Sequence, residues 1–468
     1  MLDTSSKTIG RRRFIATAGA ASAVAAGHGL FVPKPASALT YVRRDIGTLG
    51  VNHPIIKSYR KAIKAMKLLP PTNPLSWTYQ GAIHFTTLSP LHPAWNSCQH
   101  GTPWFWSWHR MYLCWFERII RKMSGDPGWA LPYWNYTSPS ERSLPPMFRI
   151  TSSDLYTVNR NASINGGSPL PASAVNYAPG FTFVNFNNAQ SSIEGTPHGA
   201  VHVSIGGWMG SVPTAAQDPI FYLHHSNIDR LWDLWLAQGG GRSDPTGDAS
   251  WKGQSFTFFN EHGHPVHMTS CEVLRAAQQL HYTYQGEPPQ VNDYCKNLTL
   301  CCGPNVVLWR RVFPPEPVIL TGDVTVTHLQ LKEVQPKLMA IAASNNQAAI
   351  LRLDGVVAET QPGIYWEVYV GSPSGRPDST SPSYIGNVAL FGSGIQDEAH
   401  GTFMPAHFVF PLNGVLRAAG QANVADLVMT FVPRSTEGQG QPLQTKPRSP
   451  VRIGRASILV EEQKAQPR

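Results

Sequence analysis

Charge is scarce in this chain. Asp, Glu, Lys and Arg make up only 14% of its 468 residues, and the 38 basic residues are scattered, with no basic run inside the chain. A formal charge of +9 spread this thinly argues against a nucleic-acid interface. Cysteine is also sparse, with six residues at 98, 114, 271, 295, 301 and 302. Their spacing is not that of a zinc site, and no histidine pair stands beside them. Cys271, Cys295, Cys301 and Cys302 cluster, and in an oxidising compartment they allow three disulfide pairings. Cys114 falls within an apolar helical pattern and is expected to be a core thiol. Internal repeats are absent, which excludes a solenoid. Beyond the N-terminal stretch no apolar run is long enough to span a membrane.

What is present builds cores. Aromatics are 10% of the chain, with 14 Trp, and apolar residues are 42%. At the start, Arg11-Arg12-Arg13-Phe14-Ile15 precedes an Ala-rich run from Ala16 to Ala26 and then Ala36-Ser37-Ala38. Residues 1–38 are expected to be a twin-arginine signal peptide, which sends an already folded protein to the periplasm or outside. Residues 39–302 are rich in Trp, His and helical periodicity. Pro304, Pro314, Pro315 and Pro317 mark 303–317 as a linker. Short strand-like runs such as Val324-Thr325-Val326-Thr327 and Leu427-Val428-Met429-Thr430-Phe431-Val432 fill 318–433, and 434–468 is expected to be a loose polar tail. The expected fold class is mainly α, a helical metal-binding bundle followed by a β-sandwich domain.

The 17 histidines carry the chemistry. His198 and His202 are four apart, which on a helix places both imidazoles on one face. His225 lies in a helical run over Phe221–Leu236, on the stripe of Ile228 and Trp232. His109 is at an inward position of a second run, Trp104–Met123, with His100 and His84 upstream. Several neutral imidazoles buried without partners would be costly, and a metal removes that cost. Three imidazoles per ion, without carboxylate or thiolate, suit copper or zinc. Two such sets facing each other suit two coppers sharing one O2.

The run Asp218-Pro219-Ile220-Phe221-Tyr222-Leu223-His224-His225-Ser226-Asn227-Ile228-Asp229-Arg230-Leu231-Trp232 resembles the second copper motif of the tyrosinase and polyphenol oxidase family. His100 to His109-Arg110, followed by Leu113 and Glu117, resembles the first. The resemblance covers 40 to about 290. It implies two copper ions, one on His84, His100 and His109, the other on His198, His202 and His225. It makes His224 a hydrogen-bonding neighbour, and Arg110, Glu117 and Asp229 structural ion pairs. His92 competes with His84. Arg43-Arg44 and Tyr282-Thr283-Tyr284 look like the family's tie between the two ends of the core. Cys98, two residues before His100, matches relatives that join such a cysteine to the imidazole by a thioether, fixing the ring.

The implied activity is oxidation of o-diphenols by O2 to o-quinones, with phenolic small molecules and O2 as partners. A copper-delivery chaperone and a homo-oligomer are left open. Glu194, four residues before His198, looks like the family's acid that holds a water and accepts a phenol's proton. Gly199 stands where good hydroxylases of the family often have Asn, so catechol oxidation is favoured over monophenol hydroxylation, with room left above the metal. Val212 lies near the place of a gating side chain. The resemblance also allows the C-terminal domain to cover the site until it moves or is cut. Rival readings are an o-aminophenol oxidase, a haemocyanin-like O2 carrier and a zinc hydrolase.

Overall fold

The computed structural model describes residues 40–287, 305–312, 317–331, 335–344, 347–371, 378–392, 394, 405–419, 426–434 and 447–462. The expected signal peptide and Cys295, Cys301 and Cys302 lie outside them. Thr40–Arg468 form one compact unit. No helix among the described residues is long and apolar enough to cross a membrane.

The first half is helical: α1 (Pro54–Lys67), α2 (Trp77–His84), α3 (Phe105–Ser124), α4 (Ala162–Asn165), α5 (Ala178–Phe181), α6 (Phe186–Ile193), α7 (Ala200–Ile205), α8 (Val212–Ala215), α9 (Ile220–Ala237) and α10 (Ala249–Gly253). Local sequence explains the ends. Pro54 suits the first turn of α1, the Ser76 hydroxyl accepts the Tyr79 N–H at the start of α2, and Gly125, at φ +71°, closes α3 in the left-handed region. The two longest, α3 and α9, are the expected ones, each within a residue at the start and end, while α1 was not foreseen. Ile56, Tyr59 and Ile63 of α1 pack with Tyr112, Phe116 and Ile120 of α3 in one apolar core, which also takes in Phe221 and Tyr222 of α9. Pro197 does not open a helix as expected. It lies in a wide turn, Glu194–Gly199, where Thr196 leaves helical dihedrals, and α7 starts after it.

A buried charge network closes this half on itself. Strand β1 (Tyr41–Arg43) pairs parallel with β4 (Tyr282–Tyr284), while β2 (Ser255–Phe259) and β3 (Pro265–Thr269) form a hairpin. Arg43 donates to Asp229 at 3.1 Å and to Glu117 at 3.0 Å, and lies 3.6 Å over the Tyr282 ring. Arg110 also pairs with Asp229, and the Tyr282 and Tyr284 hydroxyls donate to the same carboxylate. Arg43, not Arg44, is thus the tie between the two ends.

The second half carries β5 (Asn305–Val312), β6 (Val318–Leu320), β7 (Thr325–Gln330), α11 (Gln335–Ala343), β8 (Gln347–Val357), β9 (Tyr365–Val370), β10 (Tyr384–Val388), β11 (Ala406–Pro411), α12 (Asn413–Ala419), β12 (Asp426–Arg434) and β13 (Val451–Glu462). The strands form a sheet ordered β10-β9-β12-β7 and another ordered β11-β8-β13-β5, with β6 also on β13. Trp366, Val368 and Phe431 of the first share a core with Leu351, Leu353 and Ile458 of the second. The architecture is therefore mixed rather than mainly α. Two boundaries also move. β5 occupies most of the expected linker at 303–317, and β13, a central strand, lies in the expected polar tail at 434–468. Arg452 and Arg455 interrupt an otherwise apolar stretch there and give it a polar look, while Val451, Ile453, Ile458 and Val460 are buried.

Candidate metal centre

Four helices, a loop and a turn aim histidines at one interior point. α2 ends with His84, the loop before α3 carries His100, and α3 carries His109. The turn and α7 carry His198 and His202, and α9 carries His225. All six are buried. His84, His100 and His109 form one cluster whose ligand atoms lie within 4.8 Å of one another, and His198, His202, His224 and His225 form another. The clusters face each other: the His109 and His225 rings stack at 4.3 Å, and His100 lies 5.6 Å from His198.

The hydrogen bonds orient most of the rings in the same sense. Nδ1 of His84 meets the Val212 carbonyl at 3.3 Å, His109 that of Phe105 at 2.8 Å, His198 that of Glu194 at 3.0 Å and His202 that of Met209 at 2.8 Å. His100 Nδ1 lies 3.4 Å from Cys98 Sγ. Nε2 of His84, His100, His109 and His198 is then buried with no protein partner. His225 differs, with Nδ1 unpaired and Nε2 3.3 Å from His202 Nε2. Burial, and for His84, His109, His198, His202 and His225 the neighbouring imidazoles too, lowers every ring's pKa and keeps it neutral. Neutral imidazoles with one nitrogen tied back and the other left bare are what a metal ion requires. Such orphaned acceptors and donors would otherwise be a large desolvation cost. The residues fit two ions.

The sequence matches the family description "Common central domain of tyrosinase" over 74–179 and 172–238, and "Polyphenol oxidase middle domain" over 246–293. It belongs to the tyrosinase and polyphenol oxidase family. A tyrosinase of Hahella sp. is 38% identical over 280 residues, 48% of this chain and 59% of that one. The latent form of a chloroplastic polyphenol oxidase of Prunus armeniaca is 31% identical over 276 residues, 49% of this chain and 46% of that one. The chain thus spans about half the length of these curated relatives. Among solved structures, latent apple tyrosinase shares the fold at a TM-score of 0.66 and 24% identity, covering 92% of this chain and 98% of that one. Deoxygenated haemocyanin from Rapana thomasiana shares it at 0.53 and 16%, covering 91% and 100%.

Within this family frame the other candidate residues sort as follows. His92 packs on Tyr79 and Trp95, outside both clusters, so the competition with His84 falls to His84. His224 stands beside the second set. Its Nδ1 meets the Tyr136 hydroxyl at 2.9 Å, and its Nε2 is buried without a partner. Glu194 is buried, and its carboxylate accepts the Gly101 N–H at 2.6 Å, next to His100. Burial pushes its pKa up to about 8, opposed by that N–H. Cys98 and Cys114 carry free thiols, and burial pushes the Cys114 thiol up to about 11. Val212 is buried in the apolar cluster that also holds Phe221 and Phe391, and its carbonyl meets His84 Nδ1.

The room expected above Gly199 is filled. Phe391, from the turn after β10, enters the site between the two clusters. Its ring stacks on His202 at 3.8 Å with an interplanar angle of 9°, and lies 5.5 Å from His198 and 5.6 Å from His100. Only 4% of Phe391 remains exposed. Polar contacts hold the strand-rich half in place. Asn387 donates to the Ser173 carbonyl at 2.9 Å, Ser173 and Tyr365 share a hydroxyl contact at 2.8 Å, and Ser191 meets His407 at 3.0 Å. Glu461 accepts the N–H groups of Val184 and Asn185 at 3.0 and 2.9 Å and the Asn188 amide at 3.0 Å. Sequence reasoning missed Phe391. The signal available was an aromatic residue set among turn formers, in Leu390-Phe391-Gly392-Ser393-Gly394.

Proposed function

We propose that the chain is a phenol oxidase that holds two copper ions and converts o-diphenols to o-quinones with O2, and that it is latent as folded here. The observation that carries the reading is the pair of facing histidine clusters, one of three and one of four, most of whose rings keep a bare, buried nitrogen. His84, His100 and His109 would hold one ion, and His198, His202 and His225 the other. When bound, the copper pair supplies the O2 site and the two-electron redox change. Each catechol gives up two electrons and two protons, so two catechols reduce one O2 to two waters. The protein's part is to fix the imidazoles through their Nδ1 partners, keep water out with Phe105, Phe221 and Phe391, and offer Glu194 as a proton or water holder beside Gly101. Gly199 has no side chain to steady a water near Glu194, which favours catechols over monophenols.

Cys98 Sγ and the His100 ring are close enough for the proposed thioether. Joining sulfur to a ring carbon removes one hydrogen from each, with O2 as the oxidant. Intact mass of the copper-loaded chain should fall by about 2 Da relative to the metal-free chain. An unchanged mass, with Cys98 still open to alkylation after denaturation, would remove the bond.

The occluding Phe391 lends weight to one rival, an O2 carrier, since a closed site admits O2 more readily than a phenol. Copper loading to about two ions per chain, followed by catechol turnover in the intact chain, the chain cut between its halves and Phe391→Ala, separates the readings. Latent oxidase predicts quinone from the last two and little from the first. Two bound coppers with no quinone from any of them would establish the carrier reading in its place.

A further inference from the structure

Gly199 follows His198 directly and sits where the strand-rich half comes closest to the second histidine set. A Cβ built there meets the Ala389 carbonyl oxygen at 3.2 Å and Phe391 Cβ at 3.7 Å. The Glu194 carbonyl oxygen would lie 3.3 Å from the same Cβ, so the position is already tight for a single added atom. Gly195, one turn earlier, repeats the pattern. Its Cβ would lie 3.2 Å from the Phe408 ring. The segment that arrives is equally tight from the opposite direction. Gly392 has φ +82°, and a Cβ on it would fall 2.3 Å from His100 Cγ. Ala389 itself is packed among Ala174, Ala200, Val203 and Tyr365, so the incoming backbone is wedged and cannot give way easily.

We propose that Gly199 is the docking socket for the segment Ala389–Gly392, so that side-chain volume at this one position sets whether the site is closed. The inference rests on the latency reading and goes beyond it. The residue beside the first ligand of the second set acts here on access to the site, through the other half of the chain, before it can act on any substrate. A side chain at 199 overpacks a close-fitted contact, and the closed arrangement loses population to an open one. The effect should grow from Ala to Asn, because Ala adds only the Cβ at its tight but tolerable distance. Asn puts three further atoms where Ala389 and Phe391 now lie. Gly392→Ala loosens the same segment at its other anchor, where the added Cβ would meet the His100 ring at 2.3 Å and φ is +82°.

The test uses the full chain and two readouts, the first taken with copper loaded. The first is catechol oxidation before and after proteolytic separation of the halves. The second is amide hydrogen exchange at 389–392, measured in the metal-free chain. Gly199→Asn and Gly392→Ala should each raise the activity of the uncut chain by roughly ten-fold, which corresponds to about 1.4 kcal/mol of lost closure, and should speed exchange at 389–392 by a similar factor. Gly199→Ala should fall between them and the parent. Once cut, Gly392→Ala should match the parent. If cutting the parent chain releases no activity, the latency reading fails, and the exchange readout alone judges the socket. Parent-like exchange at 389–392 in Gly199→Asn would overturn the socket, whatever the parent's latency.

Discussion

Removing the carboxylate of Glu461 should loosen the second histidine set from a distance. Glu461 lies on β13 and is 1% exposed, yet its partners are all at the start of α6: two backbone N–H groups and the Asn188 amide. A carboxylate here satisfies donors that have no intrahelical partner and complements the positive end of the helix. Hydrogen bonds to a charged acceptor contribute about 1.5–3 kcal/mol each, and each buried donor left bare costs about 1–3 kcal/mol. The three bonds share one carboxylate, and Asn185 still caps α6 through its own side chain, so the terms do not add. We expect Glu461→Ala to cost about 3–5 kcal/mol. Glu461→Gln keeps an oxygen for the two N–H groups but turns an amide toward Asn188, for about 1–2 kcal/mol. Because α6 runs straight into the turn bearing Glu194 and His198, the loss should be felt there. Amide exchange over 184–190 in the copper-loaded chain is the direct assay, and about 4 kcal/mol appears as roughly a thousand-fold acceleration. Chelator challenge should then strip copper from the variant first at one site. Adding Asn188→Asp to Glu461→Gln restores a donor–acceptor pair and should recover most of the protection. Parent-like exchange over 184–190 in Glu461→Ala would show that the helix start is held by something else, and the reasoning would be wrong.

Asp229 receives Arg43, Arg110, Tyr282 and Tyr284, so Asp229→Asn leaves two buried guanidiniums short of charge. A loss of about 3–5 kcal/mol is expected in denaturant unfolding, and a change under 1 kcal/mol would show that Glu117 and Asp233 suffice. Asp244 accepts from the Trp232 indole at 3.0 Å, and burial pushes its pKa up to about 7. The folded chain then binds this proton more tightly than the unfolded one, so wild-type stability falls as pH rises from about 4, the ordinary Asp value, to about 7. Asp244→Asn keeps the acceptor oxygen and should flatten that part of the stability–pH curve, which unfolding midpoints at pH 5 and pH 8 would test.

The two histidine sets were legible because their information is local. His198 and His202 share a helix face by spacing alone, and the runs holding His109 and His225 are amphipathic over many residues. The buried charge pairs were legible through the same motifs. His84 against His92 was not, since both precede the loop to His100 at workable distances. Only the packing of His92 on Tyr79 and Trp95 separates them. β13 was hidden for a different reason. A strand central to its sheet reads by alternation only when one face is wet. Here Ile458, Leu459, Val460 and Glu461 are all buried, the last against the helical half of the chain.

That contact between distant parts of the sequence is also why the closed site could not be read. A motif reports what one segment places on its own surface, and nothing in the His198–His202 turn shows what will lie against it. Gly199 looked like free space above the metal because glycine is the same letter whether it makes a cavity or admits a neighbour. The deciding fact is the Ala389 carbonyl at 3.2 Å from where its Cβ would be. A side chain at such a position therefore answers to two demands, one from the proposed substrate and one from the chain's own second half. On the proposed function, a phenol entering beside His202 must first displace the ring already stacked there.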